Sequence, residues 1–547
     1  MLKNIYSAFT PRERIVFLVA TITIFASGIT LLAWGFIHAT QTIPAPGGEY
    51  AEGSLGQPTY VNPVIAATEI DKGLVRLIFS NIRDVAEKIE SSEDGRTWQV
   101  RLKENLKWHD GGKLTSDDVI FTVQKIQDWQ TASPLQNAWQ GVAVQRFSEL
   151  ELQFSLVNPY AFFDDTLTTL YILPKRLFAD IPPANWRLSD YNLKPVGSGP
   201  YAFSAYEKRA DGFVSLYKLA AFENYIGEKP LIQTFDLRFF LKRDEMLKSF
   251  NAGQIDAIGG LEPKELALIK RPYETFSFHL PNYYAVFFNQ SKSIQLKDAA
   301  VRRALGIATD RANLVATVLA GHGNPAIGPI PEYVPTFSAA QATTSFSLED
   351  ASTTLGGAGW NMNASGVREK KIDKATLPLE ITLTVPQLDF LVQTAETLRD
   401  SWEKTGVKVT LDIRLPEEIT RSVIKNRDYE MLLFGNVLSR SSDLYSFWHS
   451  SERFYPGLNL ALYNSKKADT LIEAIRQNLD GEKRSSQFND LQALIAEDAP
   501  AVFLYSPDYL YITNKNLRGL EAGLIAEPAE RFLSTNKWYL RTTRVLK

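Results

Sequence analysis

Residues 98–126 read WQVRLKENLKWHDGGKLTSDDVIFTVQKI, and most of what can be predicted about the fold starts from this stretch. Apolar and polar side chains alternate over residues 98–102, which is the period of a half-buried strand. The HDGG run at 109–112 is typical of a tight turn, because glycine accepts positive φ freely. Thr115 stands three residues before Asp118, a capping-box-like spacing, and an apolar helical pattern follows. The stretch therefore predicts a strand, a turn and a capped helix.

The remainder of the chain repeats this alternation of short strand patterns and helical patterns, which indicates an α/β fold. Hydrophobic residues make up 45% and charged residues 22% of the chain, a balance typical of a globular protein. Single cores stop growing near about 250–300 residues. A chain of 547 residues should therefore fold as two or more lobes.

The N-terminal region contains 23 consecutive residues without a charge, at 15–37. As a helix this segment would span about 35 Å, enough to cross a bilayer core of about 30 Å. Lys3, Arg12 and Arg14 precede it, which predicts that residues 1–14 form a cytoplasmic tail. A cleaved signal peptide is the alternative, but its apolar region is usually shorter and no clean cleavage site follows here. We expect an uncleaved, single-pass membrane anchor with the bulk of the chain outside the cytoplasm.

Residues 38–55 are rich in Pro, Gly and Ala and are predicted to be a linker. The chain contains no cysteine, which excludes disulfides, thiolate metal sites, thiol nucleophiles and attachment of a lipid to cysteine. The formal net charge is −3, and no dense basic run suggests nucleic-acid binding.

Sequence patterns of enzymes were not found. The chain has five histidines, and none forms an HExxH pattern. GxSxG, P-loop and dinucleotide-binding patterns are also missing. We therefore expect no catalytic residues, no bound metal and no cofactor, and hence no enzyme. A cell-surface hydrolase whose catalytic residues are scattered along the chain remains an alternative.

Further short segments have distinctive sequence motifs. In chain order they are GQPTYVNP at 56–63, ILPK at 172–175, PVGSGPYAF at 195–203, FENYIGEKP at 222–230, GQID at 253–256, YYAVFFN at 283–289, the DAAVRRAL-containing segment at 298–319, AGW at 358–360 and NLALYNSKKADTL at 459–471. Together with 98–126, their content and order resemble the signature of the family 5 extracellular solute-binding proteins. These are the peptide-, oligopeptide- and nickel-binding receptors of bacterial ABC importers. Each segment alone is a weak signal, but the set covers roughly residues 56–520.

The resemblance implies an α/β, type II periplasmic-binding-protein-like fold, in which two lobes face a cleft and an extra subdomain elaborates the first. One N-terminal transmembrane helix would precede it. The solute-binding domain would be 56–547, and its parts would be these: lobe I at about 49–75, 190–280 and 508–547; the subdomain at about 76–189; lobe II at about 281–507. Hinge candidates come from the two apolar runs expected to cross between lobes. They are Tyr284, Phe288, Asn289, Phe503 and Tyr505.

The resemblance also implies a function. The protein would be a membrane-tethered extracytoplasmic receptor that captures peptides or similar small solutes by lobe closure. It would deliver them, as a monomer without cofactor, to an ABC permease driven by its ATPase. A ligand sensor or scaffold with the same fold is the alternative within this fold class.

The sequence of residues 428–450 indicates which class of ligand to expect. In peptide-binding relatives the matching segment reads like GW.AD, and its aspartate pairs with the α-amine of the peptide. Here Asn436 replaces the tryptophan, and the aspartate position falls on Ser439, or on Arg440 if one insertion is allowed. Asp443 is a candidate to replace the missing carboxylate, whereas Arg440 would suit a carboxylate or phosphate group. An ammonium buried without a carboxylate would be costly, so the choice bears directly on the ligand.

Aromatic side chains are the second set of ligand-binding candidates, because their faces can stack on peptide bonds, sugar rings or side chains. Those in segments that face the cleft in relatives are Tyr60, Trp360, Tyr445 and Trp448.

Overall fold

The computed structural model describes residues 10–335, 345–372, 375–438, 440 and 442–547. Its α-helices are α1 (Pro11–Ala39), α2 (Glu69–Ile78), α3 (Ile82–Val85), α4 (Ser116–Gln127), α5 (Gln136–Trp139), α6 (Phe163–Leu167), α7 (Lys175–Phe178), α8 (Arg243–Asn251), α9 (Ala299–Ile307), α10 (Arg311–Val318), α11 (Leu348–Gly357), α12 (Asp389–Glu403), α13 (Pro416–Glu418), α14 (Tyr445–Trp448), α15 (Lys466–Gln477) and α16 (Gly481–Asp498). A π-helix, Ile419–Ile424, follows α13. The 3₁₀ helices are Trp129–Thr131, Pro183–Leu188, Asp190–Asn192, Pro263–Leu268, Gln295–Lys297, Ser450–Glu452 and Pro528–Lys537.

The strands are β1 (Thr40–Ala45), β2 (Glu49–Leu55), β3 (Ala86–Ser91), β4 (Thr97–Leu102), β5 (Ala143–Arg146), β6 (Glu151–Ser155), β7 (Tyr201–Lys208), β8 (Val214–Ala221), β9 (Thr234–Phe240), β10 (Ala257–Gly259), β11 (Tyr273–Phe278), β12 (Asn282–Phe288), β13 (Gly323–Pro325), β14 (Asn361–Met362), β15 (Arg368–Ile372), β16 (Ala375–Pro378), β17 (Glu380–Pro386), β18 (Lys408–Arg414), β19 (Met431–Val437), β20 (Ala501–Pro507), β21 (Tyr509–Asn514) and β22 (Arg541–Leu546). Helices and strands alternate over most of the described chain, so the predicted α/β class is confirmed.

The sheets define the parts named below. Lobe I contains the sheet ordered β11-β21-β10-β2-β9-β8-β7, and the subdomain contains the sheet β3-β4-β6-β5. Lobe II contains the sheet β13-β20-β12-β19-β17-β18 and the small sheet β14-β15-β16. Outside the lobes, β1 pairs with β22.

Lobe I and the subdomain share a continuous apolar core, which includes Ile78, Val100 and Phe235. Lobe II carries apolar cores on both faces of its sheet. Phe162 of the subdomain belongs to one of them, with its ring centroid 6.3 Å from that of Phe488. The subdomain is therefore fused to lobe I and packs against lobe II through an apolar contact.

The stretch 98–126 forms the elements predicted for it. Residues 98–102 lie in β4, and α4 begins after Thr115 with a capping box in which the Thr115 N–H donates to Asp118 Oδ2 at 2.9 Å. His109 in the turn accepts from the Gly197 N–H at Nδ1 (3.2 Å), and its Nε2 lies 3.1 Å from the Gly199 oxygen. The HDGG turn and the PVGSGPY turn are thus bonded to each other. Burial lowers the pKa of His109 to about 4.

Both glycines of the second turn are required by packing. A Cβ on Gly197 would lie 1.9 Å from the Ile78 oxygen, and a Cβ on Gly199 would lie 2.8 Å from the same atom. The two family-like motifs therefore hold the end of α2 against the subdomain.

The N-terminal region differs from the predicted linker. Helix α1 has no buried residue, and its most apolar window of 18 residues has a mean hydropathy of 2.4. It runs directly into β1, and β2 lies inside the lobe I sheet between β9 and β10. Residues 38–55 thus hold two paired strands, because their backbone N–H and C=O groups find partners in distant parts of the chain that composition does not reveal.

Candidate functional site

A cavity of about 430 Å³ lies where lobe I, the subdomain and lobe II meet. Its size falls in the range typical of small-ligand sites. The charged side chains that line it are Lys72, Arg76, Asp165, Arg440, Glu527 and Glu530. The other lining residues include Pro63, Val75, Leu135, Phe162, Tyr171, Val437 and Leu438. The cavity therefore has an apolar wall with a few charges, as binding sites for small solutes do.

Helix α2 presents one face to this cavity. Lys72, Val75 and Arg76 are three and four residues apart, so they share a side of the helix. Thr68 caps the helix, accepting the Asp71 N–H at 3.1 Å. The cap and the buried opposite face hold α2 in place, so the positions of the two cations are determined by the helix.

Two glutamates neutralise these cations, Glu527 at the N-cap of the 3₁₀ helix Pro528–Lys537 and Glu530 within it. Lys72 Nζ lies 2.7 Å from Glu527 Oε2, and Arg76 lies 2.5 Å from Glu527 Oε1 and 3.4 Å from Glu530 Oε1. Arg76 also donates to the hydroxyl of Tyr171 at 2.7 Å. Burial by itself raises the pKa of Glu527, but Arg76 and Lys72 outweigh it and hold that pKa below its ordinary value.

Arg440 extends this network across the cleft. It forms an ion pair with Glu530, so a lobe II cation is bound to a lobe I carboxylate. The other interaction of Glu530 Oε2 is with the Ala526 N–H, at 2.7 Å. Arg440 was the residue expected to suit an anionic ligand, and in this arrangement the anion that it contacts is a side chain of the protein.

Asp165 differs from the other cavity carboxylates. Within the described part of the chain, its side chain has no ion pair or hydrogen bond. Burial is the main cause that raises its pKa, and the neighbouring Asp164 adds to the effect. Asp164 itself is paired with Arg83. Arg440, Arg83 and Arg484 are near enough to oppose this rise without bonding to Asp165, so its oxygens remain able to accept a hydrogen bond from a cationic ligand.

Strand β19 ends at the cavity with one side uncovered. β12 pairs with β19 along its whole length, from Met431 to Val437. On the other side, β17 pairs only with Met431 and Leu432. The Leu438 N–H donates to the Pro281 oxygen on the β12 side. Since backbone groups alternate along a strand, the Val437 N–H points to the uncovered side.

A second cavity, of about 340 Å³, adjoins the first and shares Tyr160 with it. Asp443 lies at its edge, and Asp443 Oδ2 accepts the Tyr160 hydroxyl at 2.9 Å and lies 3.1 Å from Arg476 Nε. Asp443 Oδ1 accepts the Tyr445 N–H at 3.0 Å. The guanidinium of Arg476 stacks on the Tyr445 ring, 4.4 Å from its centroid. These contacts join the subdomain to lobe II, and Asp443 already accepts two hydrogen bonds and pairs with Arg476.

The structure divides the predicted ligand-binding residues into groups. Arg440 lines the first cavity, and Asp443 and Tyr445 lie beside the second. Asn436 and Trp448 are buried in lobe II instead, where both donate to the Tyr283 hydroxyl, at 2.8 Å and 3.1 Å.

Three candidates remain. Trp360 is fully buried in the lobe II core and donates to Asp298 at 3.1 Å, so it is a core residue and not a cleft residue. Tyr60 is partly buried against the lobe I core, with the Arg187 guanidinium 5.6 Å from its ring centroid. Ser439 lies outside the described residues.

The predicted hinge residues lie within the lobe II sheet. Tyr284 and Phe288 belong to β12, Phe503 and Tyr505 to β20, and Asn289 directly follows β12. β12 is paired on both sides, with β19 and β20, so its backbone is held by hydrogen bonds and cannot easily rotate.

The segments that actually cross between the lobes are residues 279–281, between β11 and β12, and Asp508, between β20 and β21. His279 Nδ1 lies 2.8 Å from Asp508 Oδ1, so the two crossings are bonded to each other. The predicted crossing points differ from these because a continuous apolar run marks burial and does not mark where a chain changes sheets.

Sequence reasoning did not identify Lys72, Arg76, Asp165, Glu527 or Glu530. The spacing of Lys72 and Arg76 on α2 was an available signal, but it is equally typical of a solvated helix face. Nothing in the local sequence marks the two glutamates, whose partners on α2 are 451 to 455 residues away.

Among the described residues, no group of three or more His, Asp or Glu side chains is arranged to hold a metal ion.

A family profile and several known proteins match this chain over most of its length. The sequence profile described as "Bacterial extracellular solute-binding proteins, family 5 Middle" matches residues 82–454, more than half of the chain. The oligopeptide-binding protein AppA of Bacillus subtilis (strain 168) is 26% identical over 537 residues, covering 91% of this chain and 92% of that protein. The dipeptide-binding protein of Escherichia coli (strain K12) is 23% identical over 464 residues, covering 80% and 83%.

Solved structures agree with the sequence relatives. The structure of AppA from Bacillus subtilis in complex with a nonapeptide superposes with a TM-score of 0.69 at 25% identity, covering 91% of this chain and 100% of that one. The ABC transporter substrate-binding protein CtaP of Listeria monocytogenes has a TM-score of 0.78 at 22% identity, covering 90% and 99%.

Proposed function

Since the chain belongs to the family 5 bacterial extracellular solute-binding proteins, we propose that it captures peptides or similar small solutes in the cavity between its lobes and delivers them to an ABC permease. The observation that carries this proposal is the cavity of about 430 Å³, which is lined by lobe I, the subdomain and lobe II together. A ligand held there touches all three parts, so its binding energy favours the closed arrangement over an open one.

Peptides fit the uncovered side of β19. An extended peptide added beside Leu433–Val437 would receive main-chain hydrogen bonds, including one from the Val437 N–H. Such bonds do not depend on the side chains of the peptide, so they would support binding of many sequences. The AppA relative, whose structure holds a nonapeptide, supports the same class of ligand.

The α-amine of the peptide would bind to a different wall of the cavity than it does in the peptide-binding relatives. Arg440 occupies the region where those relatives carry a carboxylate, and Asp443 is bonded to Tyr160, Tyr445 and Arg476. Among the described residues that line the cavity, Asp165 of the subdomain is the carboxylate that forms no ion pair or hydrogen bond. We assign the α-ammonium to it, because a charge-assisted hydrogen bond would relieve the burial of that carboxylate.

A membrane tether accompanies the receptor in this proposal. Helix α1 has 29 residues, which corresponds to about 43 Å of helix, and no side chain of it is buried. Arg12 and Arg14 precede its uncharged part, which favours a cytoplasmic N-terminal side and an extracytoplasmic receptor. A tether of this kind would keep the receptor close to a permease in the same membrane.

The test is calorimetric titration of the full chain in detergent with a synthetic series of short peptides of increasing length. We expect saturable binding to peptides and none to the matching free amino acid mixtures. The same samples are assayed for new peptide termini by mass spectrometry. Absence of binding across the series, or cleavage of bound peptides, would overturn the proposal.

A further inference from the structure

The junction between α1 and lobe I contains a surface that the solute-binding function does not use. It is the two-stranded ribbon of β1 and β22, with six antiparallel residue pairs from Thr40↔Leu546 to Ala45↔Arg541. We propose that this ribbon lies on the outer surface of the membrane and binds the phosphate groups of anionic phospholipids. This inference rests on the proposed membrane tether, and it is independent of the identity of the solute.

The ribbon is bonded directly to the end of the helix. The Lys547 N–H donates to the Ala39 oxygen at 3.0 Å, and Arg544 donates to Thr40 Oγ1 at 3.0 Å. The Thr40 N–H in turn donates to the backbone oxygen of Phe36, which lies in the last turn of α1. No free spacer separates the helix from the ribbon, so the position of the helix in the membrane determines the position of the ribbon.

Arg544 indicates the depth of the contact. Its guanidinium carbon lies 5.8 Å from the centre of the Phe36 ring. Phe36 is the next-to-last residue of the uncharged stretch 15–37, so this cation lies at the boundary between lipid tails and headgroups. A guanidinium at that depth is costly unless it reaches a phosphate, and arginine matches phosphate with several N–H donors.

The charge of the ribbon fits the same partner. Residues 40–45 and 541–547 contain Arg541, Arg544 and Lys547 and no Asp or Glu. Within the described residues, none of these three cations forms an ion pair with a carboxylate of the protein. Cations beside an anionic membrane surface attract it within about a Debye length, which is about 8 Å at physiological salt.

The ribbon also lacks a core of its own. Two-stranded ribbons are marginally stable in water, and most residues of β1 and β22 are exposed. Contact with a membrane surface would supply the missing burial on one side. Since β2 follows the ribbon after only residues 46–48 and lies inside the lobe I sheet, lobe I would keep a fixed height above the membrane. Lobe II would then be the lobe that moves during closure.

The experiment uses the full chain reconstituted in vesicles of phosphatidylcholine, with and without phosphatidylglycerol. Because the chain has no cysteine, a dye can be attached to Leu546→Cys alone, at a side chain that is 79% exposed. Quenching by lipids that carry a spin label on the headgroup reports its distance from the membrane surface. Leu188→Cys, 82% exposed on the subdomain, is the control position.

We expect quenching at residue 546 and none at residue 188. In phosphatidylglycerol vesicles, the double variant Arg544→Gln/Lys547→Gln should reduce quenching at residue 546 by about twofold, and the control Lys248→Gln should not. An unquenched dye at residue 546 would overturn the inference, and so would equal quenching in the double variant. Flotation of the vesicles after an alkaline wash tests the tether separately, and loss of the chain at that step would overturn tether and ribbon contact together. Peptide titration remains the separate test of solute binding.

Discussion

Asp165 and Arg440 show how single residues set the electrostatics of the cleft. Arg440 is neutralised by Glu530, whereas the Asp165 carboxylate, within the described residues, forms no ion pair or hydrogen bond. A ligand with a cationic group therefore gains a favourable contact at Asp165 without breaking an existing ion pair. A ligand with an anionic group would first have to displace Glu530 from Arg440. Charge at the residue scale thus favours solutes with an ammonium group.

The substitution Asp165→Asn should weaken binding of free-amine peptides by about tenfold or more, because a hydrogen bond to a charged group contributes about 1.5–3 kcal/mol. N-acetylated peptides should bind the variant and the parent protein equally. Asp164→Asn is the matched control, since Asp164 is the adjacent carboxylate and is already paired with Arg83. Calorimetric titration measures all three proteins, and an equal loss for acetylated peptides would contradict the assignment.

His109 makes stability depend on pH. Its pKa is about 4 in the folded protein and 6.5 in the reference state, so only the unfolded chain takes up a proton between those values. Stability from this group is therefore present above about pH 6.5 and is lost as the pH falls towards 4, by up to about 3 kcal/mol.

Urea unfolding of the parent protein and of the His109→Gln variant measures this dependence of stability on pH. The difference in unfolding free energy between them should shrink as the pH is lowered from 7 towards 4.5, because the glutamine does not titrate. If the difference in unfolding free energy between the parent and His109→Gln did not change with pH, the hydrogen bonds of His109 to Gly197 and Gly199 would not prevent its protonation in the folded protein.

Strand β19 has a role that belongs to the element as a whole. Its β12 side builds the lobe II sheet, and its uncovered side ends at the cavity beside Val437 and Leu438. In the proposed function the same element would serve as a structural strand on one side and as a binding edge on the other. This division explains how the cleft could accept peptides of different sequence.

Val437→Pro should test the binding edge, because proline removes an N–H that points to the uncovered side. We expect affinity to fall by about fivefold to tenfold for every peptide tested, whatever its sequence, as for the loss of one net hydrogen bond. Val437 is 63% exposed, and proline is tolerated on the open side of a strand, so the fold should persist. Val437→Ala is the control and should bind as the parent does. A loss confined to some peptide sequences would indicate that side chains, not the main chain, are recognised at this edge.

Contacts between the parts of the whole molecule join them across the cleft. Arg440 binds Glu530 across the cleft, and the Tyr160 hydroxyl binds Asp443 at 2.9 Å. The Ala161 N–H adds a bond to the Arg476 oxygen at 2.7 Å. These contacts join parts that would move apart on opening, so they favour the closed arrangement. Removing them should shift the population towards the open form.

The double variant Arg440→Gln/Tyr160→Phe should therefore be more open than the parent protein in the absence of peptide. Dyes attached at Leu188→Cys on the subdomain and Leu415→Cys on lobe II can report this by energy transfer, since the chain has no cysteine of its own. Transfer should fall in the double variant and recover when peptide is added. Arg414→Gln, which breaks an ion pair with Asp412 inside lobe II, should leave transfer unchanged. Equal transfer in all proteins would mean that the cross-cleft bonds do not control closure.

Local patterns predicted the fold well. The strand, turn and capping box of residues 97–127 follow from alternation, glycine and a Thr–Asp spacing, all of which act within a few residues. The uncharged N-terminal stretch predicted α1 for the same reason. The prediction of a linker at 38–55 was wrong because composition reports local flexibility, whereas the strand that pairs with β1 is about 500 residues away.

The sequence by itself determined the α/β class, the apolar helix and the family, because periodicity, length and ordered motifs are properties of neighbouring residues. Only the tertiary structure decided which charges meet in the cleft. Arg76 and Glu527 are 451 residues apart, and Arg440 reaches Glu530 only because two sheets face each other. Pairing of distant charges is set by how whole lobes pack, and no local pattern encodes it. For the same reason Trp360 and Trp448, plausible cleft residues in the sequence, lie in a core.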